Sequence, residues 1–178
     1  MNKPLILLAL AALATPLLAV AAAPKPLKVA DSVTIKAAPE KVWAAAKDFD
    51  SLNKWHPAVE KDQISKGSNN TVGAVRTLSL KGGGTIVEEL TAFNEGTHSF
   101  RYKILESPLP VARYVATFTV KPGKDGGSVI TWVGTFTRKN PADNPPEDQT
   151  DAAARKTIAG IYSSGLANLK KQLEGQTS

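Results

Sequence analysis

Apolar and polar residues alternate with a period of two through most of residues 58–139. Such alternation is typical of β-strands that bury one face. Six strands are predicted, at residues 58–65, 74–81, 85–93, 99–105, 112–121 and 128–138. Turns rich in glycine, proline and asparagine separate these strands, and connections this short favour an antiparallel sheet.

The residues before this region predict one more strand and two short helices. Residues 29–36 are rich in β-branched side chains, which favours a first strand. Pro39 suits the first position of a helix. The inward face of this helix consists of Val42, Trp43 and Ala46. A second helix at residues 50–54 must end before Pro57, because a proline disfavours helical backbone in the residue that precedes it.

The last predicted element is a long helix that begins at Glu147 or Thr150 and ends near Leu173. Apolar residues at helical spacing form one face of it: Ile158, Tyr162, Leu166, Leu169 and Leu173. Ala159 and Gly165 flank this face, and their small size predicts that the helix packs closely on a sheet.

Residues 1–21 have the pattern of a signal peptide. Lys3 supplies a positive charge, residues 5–18 are apolar, and Ala19-Val20-Ala21 has the small-x-small form of a cleavage site. The apolar run is shorter than the roughly 20 residues that span a membrane, although a retained anchor is the alternative. We expect cleavage near Ala21, export to the periplasm, and a single soluble domain over residues 22–178.

Composition excludes several functions. The chain has no cysteine, which excludes disulfides, a thiol nucleophile and a thiolate metal site. Its 22 Lys and Arg residues outnumber 16 Asp and Glu, but the positive charges are dispersed over the sequence. An exported chain without a basic, aromatic recognition motif is not expected to bind nucleic acid. The two histidines lie on separate predicted elements and do not form a metal site, so we expect neither a metal nor a cofactor.

Three neighbouring strands predict one aromatic face. The inward-facing sets are His98, Phe100, Tyr102 and Ile104; Tyr114, Ala116, Phe118 and Val120; and Ile130, Trp132, Gly134 and Phe136. These side chains either fill a core or line a cavity between the sheet and the long helix. The polar tips of the histidine, the tyrosines and the tryptophan favour a cavity, because buried polar atoms need hydrogen-bond partners.

Glu88 and Glu89 are consecutive on one strand, so one of the two carboxylates faces inward. Ile86, Leu90 and Ala92 share the parity of Glu88, which favours Glu88 as the inward residue. A buried carboxylate without a cation is costly, and its pKa shifts toward the neutral form.

The segment Trp55-His56-Pro57 admits three interpretations. It is a structural corner with a partly exposed imidazole, a gate that touches ligand or partner, or a catalytic centre. The corner is favoured, because no serine lies in a nucleophile elbow and neither histidine has an obvious catalytic partner nearby in the sequence. Acid-base chemistry by His98 or Glu88 on a bound ketone is the form that an enzyme would take.

Several motifs together resemble the START-like (SRPBCC) superfamily, in its polyketide cyclase/dehydrase branch. They are Pro39-Glu40-Lys41-Val42-Trp43, Asp48-Phe49-Asp50, Trp55-His56-Pro57-Ala58-Val59, Gly73-Ala74-Val75-Arg76, Glu106-Ser107-Pro108-Leu109-Pro110-Val111, Thr131-Trp132 and Gly165-Leu166-x-x-Leu169-Lys170. Together with the leader, they are most similar to the periplasmic MxaD proteins of methanol oxidation.

The resemblance implies an α+β helix-grip fold of the Bet v 1 type, in which about seven antiparallel strands curve around the C-terminal helix. It further implies a cavity that binds an apolar small molecule, and an accessory role beside a periplasmic quinoprotein dehydrogenase or c-type cytochrome. A cyclase or dehydratase and a lipid-handling protein are the alternatives. The candidate ligand-binding residues are Trp55, His56, Glu88, His98, Phe100, Tyr102, Tyr114, Phe118 and Trp132.

Overall fold

The computed structural model describes residues 25–175, which form seven strands and three α-helices. The predicted signal peptide and its cleavage site lie outside the described residues. The strands are β1 (Leu27–Ile35), β2 (Val59–Lys66), β3 (Val75–Leu80), β4 (Thr85–Asn94), β5 (Ser99–Glu106), β6 (Val111–Pro122) and β7 (Ser128–Arg138). Each begins and ends within two residues of its predicted position.

One antiparallel sheet contains all seven strands in the order β1-β7-β6-β5-β4-β3-β2. The sheet curves around the C-terminal helix, which confirms the predicted helix-grip fold. β-Bulges interrupt three of the strand pairings: β2 with β3, β4 with β5, and β6 with β7. Each bulge bends its strand, which helps the sheet to wrap.

The helices are α1 (Pro39–Ala46), α2 (Leu52–Trp55) and α3 (Asp151–Gly175). Helix α1 begins at Pro39 and buries the three residues predicted for its inward face. Helix α2 is a single turn that ends at His56, whose backbone is extended (φ −92°, ψ 117°), as expected of the residue before a proline. None of the helices within residues 25–175 is long and apolar enough to cross a membrane.

Helix α3 buries the predicted apolar stripe against the concave face of the sheet. Tyr162 reaches Gly134 of β7, and a Cβ atom at position 134 would collide with the tyrosine oxygen. The close contact of helix and sheet therefore depends on a glycine of the sheet. Ala159, which was predicted to allow this approach, is exposed, so that prediction is wrong.

Gly165 is buried, but it faces α2 and not the sheet. A Cβ atom there would lie 2.5 Å from Cδ2 of His56 and 3.2 Å from the Trp55 ring. The missing side chain makes room for the histidine, which the sequence alone did not indicate.

Two glycines of α3 provide a matched test of this packing. Gly160 has no atom within 4 Å of a Cβ position, so Gly160→Ala should raise the free energy of unfolding by up to about 1 kcal/mol, because alanine favours helix. Gly165→Ala should lower it, by roughly 1 to 3 kcal/mol, because the added methyl group overpacks the site. Urea unfolding of both variants measures the difference. Equal stabilisation by both substitutions would contradict the tight packing of His56 against α3.

Candidate functional site

A cavity of about 250 Å³ lies between α3 and one half of the concave face of the sheet. Most of its wall is aliphatic. The lining residues are Leu52, His56, Ala58, Val59, Leu78, Leu80, Ile86, Glu88, Tyr102, Ile104, Leu109, Tyr114, Trp132, Thr157, Ile158 and Ile161. Ala58 is exposed, and Leu80, Leu109 and Ile161 are half-buried, so these residues mark the side on which the cavity reaches solvent.

The other half of the concave face is packed with aromatic rings beneath α1. Phe100 stacks on Phe118 with ring centroids 5.2 Å apart, and Trp43 and Phe49 pack on Phe100 at 6.1 and 6.4 Å. The two interpretations of the aromatic face therefore both hold, each for one half of the sheet. Phe100 and Phe118, which were predicted as cavity residues, belong to the packed half and do not line the cavity.

Arg76 lies at the centre of a cluster of buried charged side chains beside the cavity, and 2% of its surface is exposed. Its Nε atom donates a hydrogen bond to Oε2 of Glu88 at 2.8 Å, and its Nη2 atom lies 2.6 Å from the same oxygen in an ion pair. Its Nη1 atom donates to the carbonyl oxygen of Phe49 at 2.7 Å and lies 3.3 Å from Oδ2 of Asp62. The guanidinium also stacks 4.1 Å from the centre of the Phe49 ring. One side chain thus connects β3 to β2, β4 and the segment before α2.

Glu88 faces inward, as predicted, and lines the cavity with 4% of its surface exposed. Burial raises the pKa of its carboxyl, and the adjacent Arg76 guanidinium opposes that shift. Glu89 points to the opposite face, where it pairs with Lys103 at 3.2 Å. Ala92 does not share the inward face, because a bulge between Leu90 and Ala92 shifts the alternation.

Asp62 completes the charged cluster. Its Oδ2 atom accepts hydrogen bonds from the backbone N–H of Leu52 at 2.9 Å and from Arg76. Burial raises the pKa of Asp62 from 3.8 to about 6, against the attraction of Arg76. Two carboxylates therefore compete for one guanidinium, and the cluster holds an excess of negative charge when both are ionised.

One indole N–H and three tyrosine hydroxyls form a row of contacts that begins at the cavity wall and continues to Tyr162 of α3. Nε1 of Trp132 donates to the Tyr102 hydroxyl at 3.0 Å, which lies 3.5 Å from the Tyr114 hydroxyl. The Tyr114 hydroxyl forms a short hydrogen bond with that of Tyr162. Burial raises the pKa of Tyr102 and Tyr114 well above the ordinary value, so both hydroxyls remain protonated and act as neutral hydrogen-bonding groups.

His56 is 3% exposed, so the prediction of a partly exposed imidazole is wrong. Its Nε2 atom lies 3.0 Å from the carbonyl oxygen of Ile161, and its Nδ1 atom accepts from the backbone N–H of Ala58 at 3.2 Å. Burial lowers its pKa, which favours the neutral ring with the proton on Nε2. Both nitrogens bond to backbone groups, so the ring joins α2 to α3 and presents carbon atoms to the cavity.

His98 and Trp55 do not line the cavity either. His98 precedes β5 with a positive φ of 46°, so the alternation of β5 does not extend back to it. Its ring stacks on Trp43 of α1, with centroids 5.5 Å apart. Trp55 is buried between Phe118 and Trp132, at 5.9 and 5.7 Å. The candidates on the cavity wall are His56, Glu88, Tyr102, Tyr114 and Trp132.

The sequence analysis missed two charged residues of the site, Arg76 and Asp62. A signal for Arg76 exists, because it shares the parity of Ala74, Leu78 and Leu80 on an apolar strand face. The signal for Asp62 is weak, since a bulge between Val59 and Lys61 breaks the alternation of β2. The burial of Tyr162 was predicted from the apolar stripe of α3. Its contact with Tyr114 was not predicted, because that contact depends on how α3 packs on the sheet.

Solved structures of bacterial proteins share this fold. The protein XoxI of Bacillus cereus is 32% identical, with a TM-score of 0.72, over 82% of this chain and 94% of its own. A protein of Bacillus thuringiensis is 31% identical, with a TM-score of 0.72, over 83% of this chain and 98% of its own.

Sequence comparisons point in the same direction. The MLP-like protein 423 of Arabidopsis thaliana is 31% identical over 116 residues, which are 58% of this chain and 72% of the plant protein. The model of a family described as polyketide cyclase/dehydrase and lipid transport matches residues 26–174. These residues include every element of the fold, and the chain therefore belongs to the polyketide cyclase/dehydrase and lipid transport family of the START-like superfamily.

Proposed function

We propose that the protein binds one small apolar molecule in the cavity beneath α3 and performs no chemistry on it. The observation that carries this proposal is the cavity itself, which is open in one half of a sheet whose other half is packed with aromatic rings. Closely packed interiors rarely leave space of this size without a function.

The volume limits the size of the ligand. An apolar cavity of about 150 Å³ holds one benzene molecule. The present cavity of about 250 Å³ suits one or two rings, or a chain of similar volume, and is too small for both acyl chains of a membrane lipid. The lipid-handling alternative is therefore limited to short or cyclic apolar molecules.

The polar groups on the wall suit binding more than catalysis. Both nitrogens of His56 bond to backbone, the hydroxyls of Tyr102 and Tyr114 resist ionisation, and Arg76 holds Glu88 in an ion pair. The ion pair stabilises the charged form of Glu88 and opposes the rise in pKa that burial causes, which disfavours Glu88 as the proton donor of a cyclase or dehydratase.

The proposed location is the periplasm, and the proposed role is that of an accessory protein in methanol oxidation, beside a quinoprotein dehydrogenase or a c-type cytochrome. The leader pattern of residues 1–21 and the motifs shared with MxaD proteins support this part of the proposal.

Binding can be tested by calorimetric titration with 2-methylnaphthalene, a two-ring probe without polar atoms. The wild type should bind one molecule per chain. Ala58→Trp places a large side chain at the exposed rim of the cavity and should weaken binding at least about tenfold, without overpacking the core. Ala159→Trp adds the same side chain to the exposed face of α3 and should leave the affinity unchanged. No binding by the wild type, or equal binding by both variants, would contradict the proposal.

Export can be tested by N-terminal sequencing of the protein recovered from the periplasm. The expected first residue lies near Ala22, because the small-x-small site ends at Ala21. Periplasmic protein that begins at Met1 would show that the leader is not removed.

A further inference from the structure

We infer that the ligand carries a neutral group that both donates and accepts a hydrogen bond, as an alcohol or a phenol does, and that it is not a carboxylic acid. This inference rests on the proposed function. It concerns the polar end of the ligand, which the volume and the apolar wall of the cavity leave undefined.

The first observation is an acceptor without a donor. The hydrogen bond and the ion-pair contact from Arg76 to Glu88 both end on the same carboxylate oxygen, Oε2. Among residues 25–175, the other oxygen of Glu88, Oε1, accepts no hydrogen bond. Glu88 is buried and lines the cavity, so a group inside the cavity is the available donor for this oxygen.

The second observation is a surplus donor. Four polar hydrogen atoms are available to a row of three hydroxyl oxygens. They belong to the N–H of Trp132 and to the hydroxyls of Tyr102, Tyr114 and Tyr162. The row contains three contacts, of which the one between Tyr102 and Tyr114 is long at 3.5 Å. At least one hydroxyl hydrogen therefore has no acceptor within the row, whichever way the hydroxyls rotate.

We place the surplus hydrogen at the cavity end of the row, with Tyr162 as the donor to Tyr114. Tyr162 packs its oxygen against Gly134 and does not line the cavity, whereas Tyr102 and Tyr114 do. If Tyr162 donates to Tyr114, the free hydrogen lies on a hydroxyl that faces the cavity. The wall then offers one donor, from a tyrosine, and one acceptor, from Glu88.

The donor and the acceptor lie on adjacent strands. Glu88 pairs with Ile104, and Leu90 pairs with Tyr102, so Glu88 and Tyr102 are diagonal neighbours on one face of the sheet. Diagonal neighbours are close enough for a single polar group between their side chains to contact both. A ligand hydroxyl can donate to Glu88 and accept from the tyrosine through one oxygen atom.

Charge determines which polar groups the cavity rejects. Within the described residues, neither lysine nor arginine lines the cavity, and the single guanidinium behind the wall already faces two carboxylates. An anionic ligand would add a further buried negative charge beside Glu88, which is unfavourable in an apolar site. Water can satisfy both wall groups in the free protein, and a ligand that displaces it has to replace both hydrogen bonds.

Three naphthalene probes of similar size test the inference by calorimetry at pH 7: 2-methylnaphthalene, 2-naphthol and 2-naphthoate. The wild type should bind 2-naphthol about tenfold more tightly than 2-methylnaphthalene, as a hydrogen bond to a buried charged group would give. It should bind 2-naphthoate more weakly than either. Equal affinities for the first two probes, or preference for the carboxylate, would overturn the inference.

Two variants test which groups of the cavity wall cause the preference for 2-naphthol. Glu88→Gln keeps an oxygen for Arg76 but removes the charge, so the preference for 2-naphthol should fall at least threefold and 2-naphthoate should bind more tightly. Tyr102→Phe removes a hydroxyl from the wall and should also reduce the preference for 2-naphthol. The preference is the ratio of the affinities for 2-naphthol and 2-methylnaphthalene within each variant, so a change in the cavity that weakens both probes equally does not alter it. A preference for 2-naphthol that persists in both variants would contradict the assignment to these groups.

The two proposals fail in different ways. Absence of binding of 2-methylnaphthalene to the wild type contradicts the proposed function. Binding of 2-methylnaphthalene and 2-naphthol with equal affinity leaves the binding function intact and overturns only the inference about the polar group.

Discussion

The buried guanidinium of Arg76 is the constraint on which the rest of the structure depends. A charge that is 2% exposed is tolerated only when its hydrogen bonds are satisfied, and here the partners come from three different segments of the chain. Glu88 fixes β4 beside β3, Asp62 fixes β2, and the carbonyl of Phe49 fixes the segment before α2. Asp62 also accepts from the first backbone N–H of α2. The position of α2 over the sheet therefore follows from one ionic cluster.

That position divides the concave face into a packed half and an open half. The turn after α2 brings His56 against Gly165 of α3, and its ring closes one wall of the cavity. Beneath α1, rings of Trp43, Phe100 and Phe118 fill the corresponding space. Because an ion pair contributes little net stability when fully buried, the cluster is better understood as fixing geometry and as placing one carboxylate oxygen on an apolar wall.

The strands and the long helix were predicted well from the sequence. Each buries one face, so its apolar residues recur with the period of that element. The sequence also predicted Glu88 as the inward carboxylate, from the apolar parity of Ile86 and Leu90. It failed where tertiary contacts override local pattern. His56 was expected to be partly exposed, but the absence of a side chain on Gly165, more than 100 residues away, makes its burial possible. The pairing of Arg76 with Glu88 depends on the register of β3 and β4, which no local period specifies.

The central claim is that Arg76 and Glu88 act as one buried unit, and a double-mutant cycle tests it most directly. The free energies of unfolding of Arg76→Met, Glu88→Leu and the double variant are measured in urea against the wild type. Each single change leaves a buried charge with fewer partners, so the account predicts that the double variant loses less stability than the sum of the singles, by about 2 kcal/mol. Losses that add within roughly 0.5 kcal/mol would contradict the account.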